Sequence, residues 1–358
     1  MLRRFRRRPA ATAAALPPIT ILKPLHGAEP LLEVALASLC VAPYAGMQII
    51  CGVQSATDPA ISVVRALQAA HPGLDLSLVI DPTEHGANRK VANLINMFPS
   101  AKHNLLVIAD SDVHSAPDYL HALAAALAGP GVGLATTLYV GRPASHAVAA
   151  LLGTAWINHV FLPGALLARA LGRQDCLGAT MALNRETLAA AGGFAALADE
   201  IADDQWLGRN VLRLGRKVVL APTIVATTVP ETTLPELWRH ELRWGRTIRA
   251  LEPVGFAFSA LQHPLAWAAL AILASGAAGW SITLFVLAWA IRAFSARRID
   301  AELAKSDEML ATRVPIWLFP LRDLMSMTVL VASHAGRRVE WRGQVLQTAP
   351  PSPGSPLR

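Results

Sequence analysis

The chain has 358 residues, 53% hydrophobic and only 16% charged, with a formal net charge of +7. That length suits one large domain plus an appendage, and the balance is too apolar for an ordinary soluble domain, so part of the chain is expected to meet a membrane. Three Tyr without interleaved basic and aromatic residues argue against a nucleic-acid partner, and Cys40, Cys51 and Cys176, odd in number and without metal spacing, argue against a disulfide framework.

In chain order, Arg3, Arg4, Arg6, Arg7 and Arg8 open a basic arm over residues 1–18, suited to an anionic membrane surface. Pro9 to Leu16 is too short and too weakly apolar for a signal-peptide core. Strands are predicted at Ile19–Leu22, Met47–Val53, Leu76–Ile80 and Leu105–Ala109, with helices at Leu31–Leu39, Ala60–Ala70 and Pro117–Leu127. Val132–Tyr139, Val218–Ala221 and Thr223–Thr228 read as further β-structure. Such alternation predicts an α/β domain with a mostly parallel sheet and helices on both faces.

Pro235–Leu251 predicts an amphipathic helix. Arg239, Arg243, Arg246 and Arg249 lie on one arc, and Leu237, Trp244, Ile248 and Leu251 lie opposite, as in an interfacial helix. Pro264 to Ile291 carries no formal charge. It forms either one tilted span or two shorter membrane-inserted segments broken between Ser275 and Gly279. A second apolar stretch, Val314 to Ala335, contains Arg322 and Asp323, which should face protein or headgroups rather than lipid. The basic connector Arg292–Arg313 is expected on the cytoplasmic side. The Pro-rich tail is expected to be loose.

The chemistry centres on Ile108-Ala109-Asp110-Ser111-Asp112-Val113. A buried strand ending in two carboxylates places them at the crevice where α/β proteins bind ligands. Asp110 and Asp112 offer hard oxygen ligands suited to Mg²⁺ or Mn²⁺ against a diphosphate. Asp58, where a strand ends and a helix opens, can accept hydrogen bonds from a base or ribose, or serve simply as an N-terminal helix carboxylate. In Gly86-Ala87-Asn88-Arg89-Lys90, Lys90 can reach a phosphate, or lie on a solvated helix face. Asp203-Asp204 at a helix start repel one another, and Asp204 is a candidate general base.

The ordered set Lys23-Pro24-Leu25-His26-Gly27, Asp58-Pro59-Ala60-Ile61, Gly86 to Leu94, Asp110-Ser111-Asp112, Asp203-Asp204 and His240-Glu241-Leu242-Arg243-Trp244 resembles the ceramide glucosyltransferase family of GT-A glycosyltransferases. The resemblance runs from about residue 19 to about 345, through Glu340-Trp341-Arg342-Gly343. It looks closest to the bacterial hopanoid-biosynthesis branch, which glycosylates bacteriohopanetetrol.

The resemblance implies a GT-A (Rossmann-like) domain with C-terminal interfacial and transmembrane helices. It places Asp58 by the uridine, and Asp110 and Asp112 on UDP and its divalent metal. Asp204 would be the catalytic base, and Arg243 and Trp244 would lie beside diphosphate and acceptor. His240 stands where the family has Gln or Arg. The family's N-terminal transmembrane helix has no counterpart before residue 19, so the arm replaces it or the true start lies upstream.

The implied division is a basic arm (1–18), a catalytic domain (19–233), an interfacial helix region (234–262), membrane-associated helices (263–345) and a tail (346–358). The expected activity is inverting transfer of a hexose or N-acetylhexosamine from a UDP-sugar to a lipid hydroxyl at the inner (cytoplasmic) membrane, with the catalytic domain cytosolic. N-acetylglucosamine to bacteriohopanetetrol is the first reading, and glucose to ceramide is the alternative. An inactive membrane adaptor and a polysaccharide synthase are the rivals, disfavoured by the intact carboxylates and by too few apolar spans for a channel.

Overall fold

A computed structural model describes residues 16–305 except Pro43, residues 312–336, Leu2, Phe5 and Leu310, and the backbone of 338–341 and 344–347. Most of the arginine-rich arm, the Arg342-Gly343 pair and the end of the tail lie outside the described residues. In chain order the first elements are β1 (Ile19–Pro24), α1 (Leu32–Cys40), β2 (Met47–Val53), α2 (Ala60–Ala70), β3 (Asp75–Ile80) and α3 (Arg89–Met97). β4 (Leu105–Ala109), β5 (Val113–His114), α4 (Tyr119–Leu127) and β6 (Val132–Pro143) follow. The helix α5 occupies Val148–Ala170. Then come β7 (Thr180–Asn184), α6 (Arg185–Ala190), α7 (Asp203–Arg213) and β8 (Lys217–Val229). Beyond these lie α8 (Leu234–Leu251), α9 (Pro253–Phe258), α10 (Pro264–Ala274), α11 (Gly279–Ala304), α12 (Phe319–Ser333), β9 (Arg338–Trp341) and β10 (Gln344–Gln347).

Eight strands form one sheet in the order β3-β2-β1-β4-β7-β6-β8-β5. β3, β2, β1 and β4 run parallel, and β7 is antiparallel to β4 and β6. Side chains alternate across β4. Leu105, Val107 and Ala109 join the cluster under α1, α2 and α4, while Leu106 and Ile108 join the one under α3 and α7. Burial on both faces explains why Leu105–Ala109 is apolar throughout rather than alternating. Pro222 does not break β8, whose outer edge is covered by β5 only at Ala226 and Thr227. Among the described residues no other strand pairs with that edge, the setting in which a strand tolerates proline.

The chain divides into two units, Met1–Val140 with Gly164–Thr228, and Gly141–Pro163 with Val229–Arg358. The first holds nearly all of the sheet. In the second, the apolar stretch Pro264–Ile291 is two helices rather than one. They separate at Ser275–Ala278, where Gly276 and Ala277 take left-handed φ of 62° and 61°. Among the described residues three helices are long and apolar enough to cross a membrane, Val148–Ala170, Gly279–Ala304 and Ile316–Ser333, and Pro253–Gln262 with Pro264–Ala274 forms a pair bent by 68°. The first of these three was not foreseen.

Arg322 and Asp323 are fully buried and face protein. Arg322 donates to both Glu241 oxygens at 2.6 and 2.7 Å, and Asp323 pairs with Arg292 at 3.2 Å.

The packed side of α8 is more than a simple apolar arc. Thr233 and Glu236 close a capping box at its start, and the buried stripe is Leu237, Glu241 and Gly245. Ile248, assigned to the apolar arc, is 42% exposed. Arg246 and Arg249 donate to the carbonyls of Ala335 and Gly336 at 2.9 and 3.0 Å. A charged residue can occupy the packed side because Arg322 meets it there, which helical periodicity does not reveal.

Candidate active site

The carboxylate loop leaves β4 at Asp110 and returns to the sheet at β5. Its backbone is fixed from below. Lys23, fully buried at the end of β1, donates from Nζ to the carbonyl of Asp110 at 2.6 Å and to that of Val113 at 3.4 Å. Burial lowers the Lys23 pKa to about 8, against the attraction of Asp112 and Asp110. Ser111 donates to Glu29, and Thr227 donates to Asp112. Burial pushes Asp112 up to about 7, and repulsion from Asp110 adds to the shift. The Asp110 amide donates to the carbonyl of Ala179 at 3.2 Å.

Lys90 joins this loop to the second acidic motif. Its Nζ lies 2.8 Å from Asp110 Oδ1 and 3.2 Å from Asp203 Oδ2. Burial opposes its charge, but Asp110 and Asp203 outweigh burial, so its pKa is raised. Lys90 is placed by the start of α3. Asn88 caps the helix by accepting from the Val91 amide at 3.1 Å. The Asn88 amide donates to Ala198 O at 2.7 Å, and its side chain donates to Glu200 O at 2.7 Å. The Ala87 amide donates to Asp199 at 2.9 Å. Gly86 is required here, because a Cβ would meet the Ala198 carbonyl oxygen at 2.6 Å. The segment 86–88 is thus laced to 198–200, just before Asp203.

Asp204 follows at the start of α7. Burial raises its pKa to about 7, with Asp203 adding repulsion and Lys90 opposing. A Cβ on Gly178 would come within 2.9 Å of Asp204 Oδ2, so the Gly178 loop runs directly against this carboxylate. A carboxyl titrating near neutrality is suited to proton transfer.

Asp58 is engaged locally. Its oxygens accept from the Gly27 amide at 3.1 Å and from the Ala60 amide at 2.9 Å, which fixes the loop after β1 to the start of α2. In the second unit, His240 bonds through Nδ1 to the buried Glu231 and stands edge-on to Trp244, with ring centroids 4.2 Å apart. Trp156 lies 5.3 Å from Trp244 and 6.0 Å from Phe161. Arg243 is half-buried on the same helix as His240.

Sequence reasoning missed Lys23, Glu231 and the Asn88 lacing. Only Lys23 left a signal, as a lysine ending the apolar strand Ile19–Leu22.

Among the described residues no three His, Cys, Asp or Glu side chains gather as a metal-binding set. Asp110 and Asp112 are hard oxygen donors, and two carboxylates suit a divalent cation whose remaining ligands come from a bound diphosphate and water. The donor set therefore fits Mg²⁺ or Mn²⁺ shared with a ligand rather than a closed structural site.

The chain is similar to ceramide glucosyltransferase 1 of Caenorhabditis elegans, 30% identical over 103 residues, 29% of this chain and 22% of that protein. It is 34% identical to the ceramide glucosyltransferase of Komagataella phaffii over 99 residues, 26% of this chain and 19% of that one. The matches thus span about a fifth of the length of these curated relatives. Among solved structures, a mannosyltransferase from Pyrobaculum calidifontis in complex with GDP-Man and Mn²⁺ covers 93% of this chain and 91% of its own, with a TM-score of 0.52 at 20% identity. That likeness speaks for the fold, the GT-A glycosyltransferase architecture. The profile of Glycosyl transferase family 21 matches residues 1–351. With this match across nearly the whole chain, the protein belongs to Glycosyl transferase family 21.

Proposed function

We propose that the chain transfers a hexose, with inversion, from a UDP-sugar to the hydroxyl of a membrane lipid, and that glucose and ceramide are the preferred pair. The observation that carries this reading is the Lys90 bridge, which brings the strand-end carboxylates and the Asp203-Asp204 helix start around one ammonium. Donor and base functions then share one site. Asp204 accepts the proton of the acceptor hydroxyl while that oxygen bonds the anomeric carbon, and the bond from that carbon to the diphosphate oxygen breaks. Asp110 and Asp112 would hold a divalent cation, Mg²⁺ or Mn²⁺, which supplies Lewis-acid stabilisation to the leaving UDP.

The lipid acceptor is supported by the names of the relatives and by helices of membrane-crossing length. Association with the inner membrane, with the sheet unit on the cytosolic side where nucleotide sugars are made, is part of the same reading. His240, Arg243 and Trp244 are assigned to diphosphate and acceptor.

The test crosses UDP-glucose and UDP-N-acetylglucosamine with ceramide and bacteriohopanetetrol, using purified full-length protein, Mn²⁺ and chromatographic detection of glycolipid. Glucosylceramide formation is the expected result. N-acetylglucosamine on the hopanoid polyol would replace the ceramide assignment with the hopanoid one. Full activity in excess chelator would overturn the role given to Asp110 and Asp112.

A further inference from the structure

Resting on the donor reading above, we infer that Lys90 occupies the cation position on Asp110 until a divalent metal and diphosphate take it over, so that metal and nucleotide bind interdependently. Lys90 acts here as a positioning residue that links the donor carboxylate to the helix carrying the base.

The two ends of the bridge are unequal. The backbone around Lys90 is laced to 198–200, the segment leading into Asp203, through Ala87 and Asn88. None of those bonds reaches the loop carrying Asp110. Asp203 is 6% exposed and its Oδ2 accepts no hydrogen bond, Lys90 meeting it as an ion pair at 3.2 Å, so removing Lys90 from it would strand a buried charge. The Asp110 side chain is 36% exposed and can be satisfied by water or by a metal. When the bridge opens, it opens at Asp110.

The consequence is a competition. A metal ion arriving alone must displace an ammonium that is 2.8 Å from its carboxylate. Its apparent affinity falls by the fraction of molecules in which Asp110 is free. A diphosphate arriving with the metal gives the released ammonium a new counter-charge. Each ligand then favours the other by the same factor.

The test uses the full chain in detergent micelles with Mn²⁺ alone and free Mn²⁺ followed by electron paramagnetic resonance, then the same titration with UDP. Three variants are compared with wild type: Lys90→Gln, Lys90→Gln with Asp203→Asn, and Lys90→Arg. The double variant removes the buried Asp203 charge together with its counter-ion, so it reports even where the single one is unstable.

Both Gln variants should bind Mn²⁺ alone at least about threefold tighter than wild type, while UDP tightens Mn²⁺ binding less than it does in wild type. Their kcat should fall, so affinity and turnover move in opposite senses, which a merely structural lysine would not produce. Lys90→Arg should keep wild-type Mn²⁺ affinity. Unchanged or weaker Mn²⁺ binding in the Gln variants, with UDP-coupled binding intact in wild type, overturns the inference about Lys90 and leaves the donor reading standing. Failure of wild type to bind Mn²⁺ with UDP overturns the donor reading and this inference with it.

Discussion

Two groups of charged side chains sit in this chain, and they are balanced differently. In the helical unit charges come in matched pairs. Arg322 meets Glu241 through two bonds, and Arg292 meets Asp323 at 3.2 Å. Spare donors are also used, with Arg322 bonding Leu152 O and Ser326, and Arg292 bonding His159 O. In the sheet unit one ammonium, Lys90, serves both Asp110 and Asp203, while Asp112 and Asp204 are pushed up to about 7. Matched pairs fix helices in place. An excess of carboxylates destabilises the empty site but leaves it ready for a cation and for a proton.

The comparison breaks most readily at the balanced end. Arg322→Met leaves Glu241 buried and unpaired, and should destabilise the helical unit by about 3–5 kcal/mol, seen as a lower melting temperature in detergent. Adding Glu241→Leu should restore most of the loss. If the double variant stayed as unstable as the single one, the pair would not be a matched unit.

At the unbalanced end, Asp204→Asn should lower kcat on the order of 10²-fold or more with UDP binding retained. Its melting temperature should hold or rise, because it removes a charge the site has in excess. Wild-type turnover in this variant would remove Asp204 from the base role.

The same carboxyl sets a pH dependence. Asp204 must be ionised to accept a proton, so kcat should fall about tenfold per pH unit below about 7. Its stability contribution runs the other way. The folded state holds this proton up to about 7 against 3.8 for the free group, so the contribution is full below 3.8 and lost as pH rises through about 7. A flat rate profile from pH 5 to 8 would contradict the assignment. The smallest effect belongs to Arg249→Ala, which removes a partly exposed bond to Gly336 O and should cost less than about 1 kcal/mol.

The parallel half of the sheet was legible because each of its central strands is a short apolar run bounded by turn residues. Leu105–Ala109 and Met47–Val53 have the foreseen limits. The Asp110-Ser111-Asp112 and Asp203-Asp204 motifs were visible as local patterns. Their connection was not, because Lys90 and Asp203 are far apart in sequence and meet only after 86–88 is laced to 198–200.

The helix Val148–Ala170 was overlooked although no formal charge lies between Arg142 and Arg169. Asn158, Pro163 and Gly164 suggest an interruption. The backbone accommodates them with a π-turn at Ile157–Phe161 just before the proline, and Asn158 accepts from the Gly141 amide at 2.7 Å. β8 was read as two pieces split at Pro222 for a similar reason.

The excursion at Gly141–Pro163 has a bearing on how the chain is made. β4 lies between β1 and β7, so a nascent chain ending before residue 180 exposes one flank of its most apolar strand. That flank cannot be covered until the long apolar helix Val148–Ala170 has already left the ribosome. Synthesis therefore delivers a long apolar segment ahead of the strand that completes the sheet. Engagement of that helix by the membrane or a chaperone during the interval should decide between folding and aggregation, and chains released before β7 should accumulate as insoluble material.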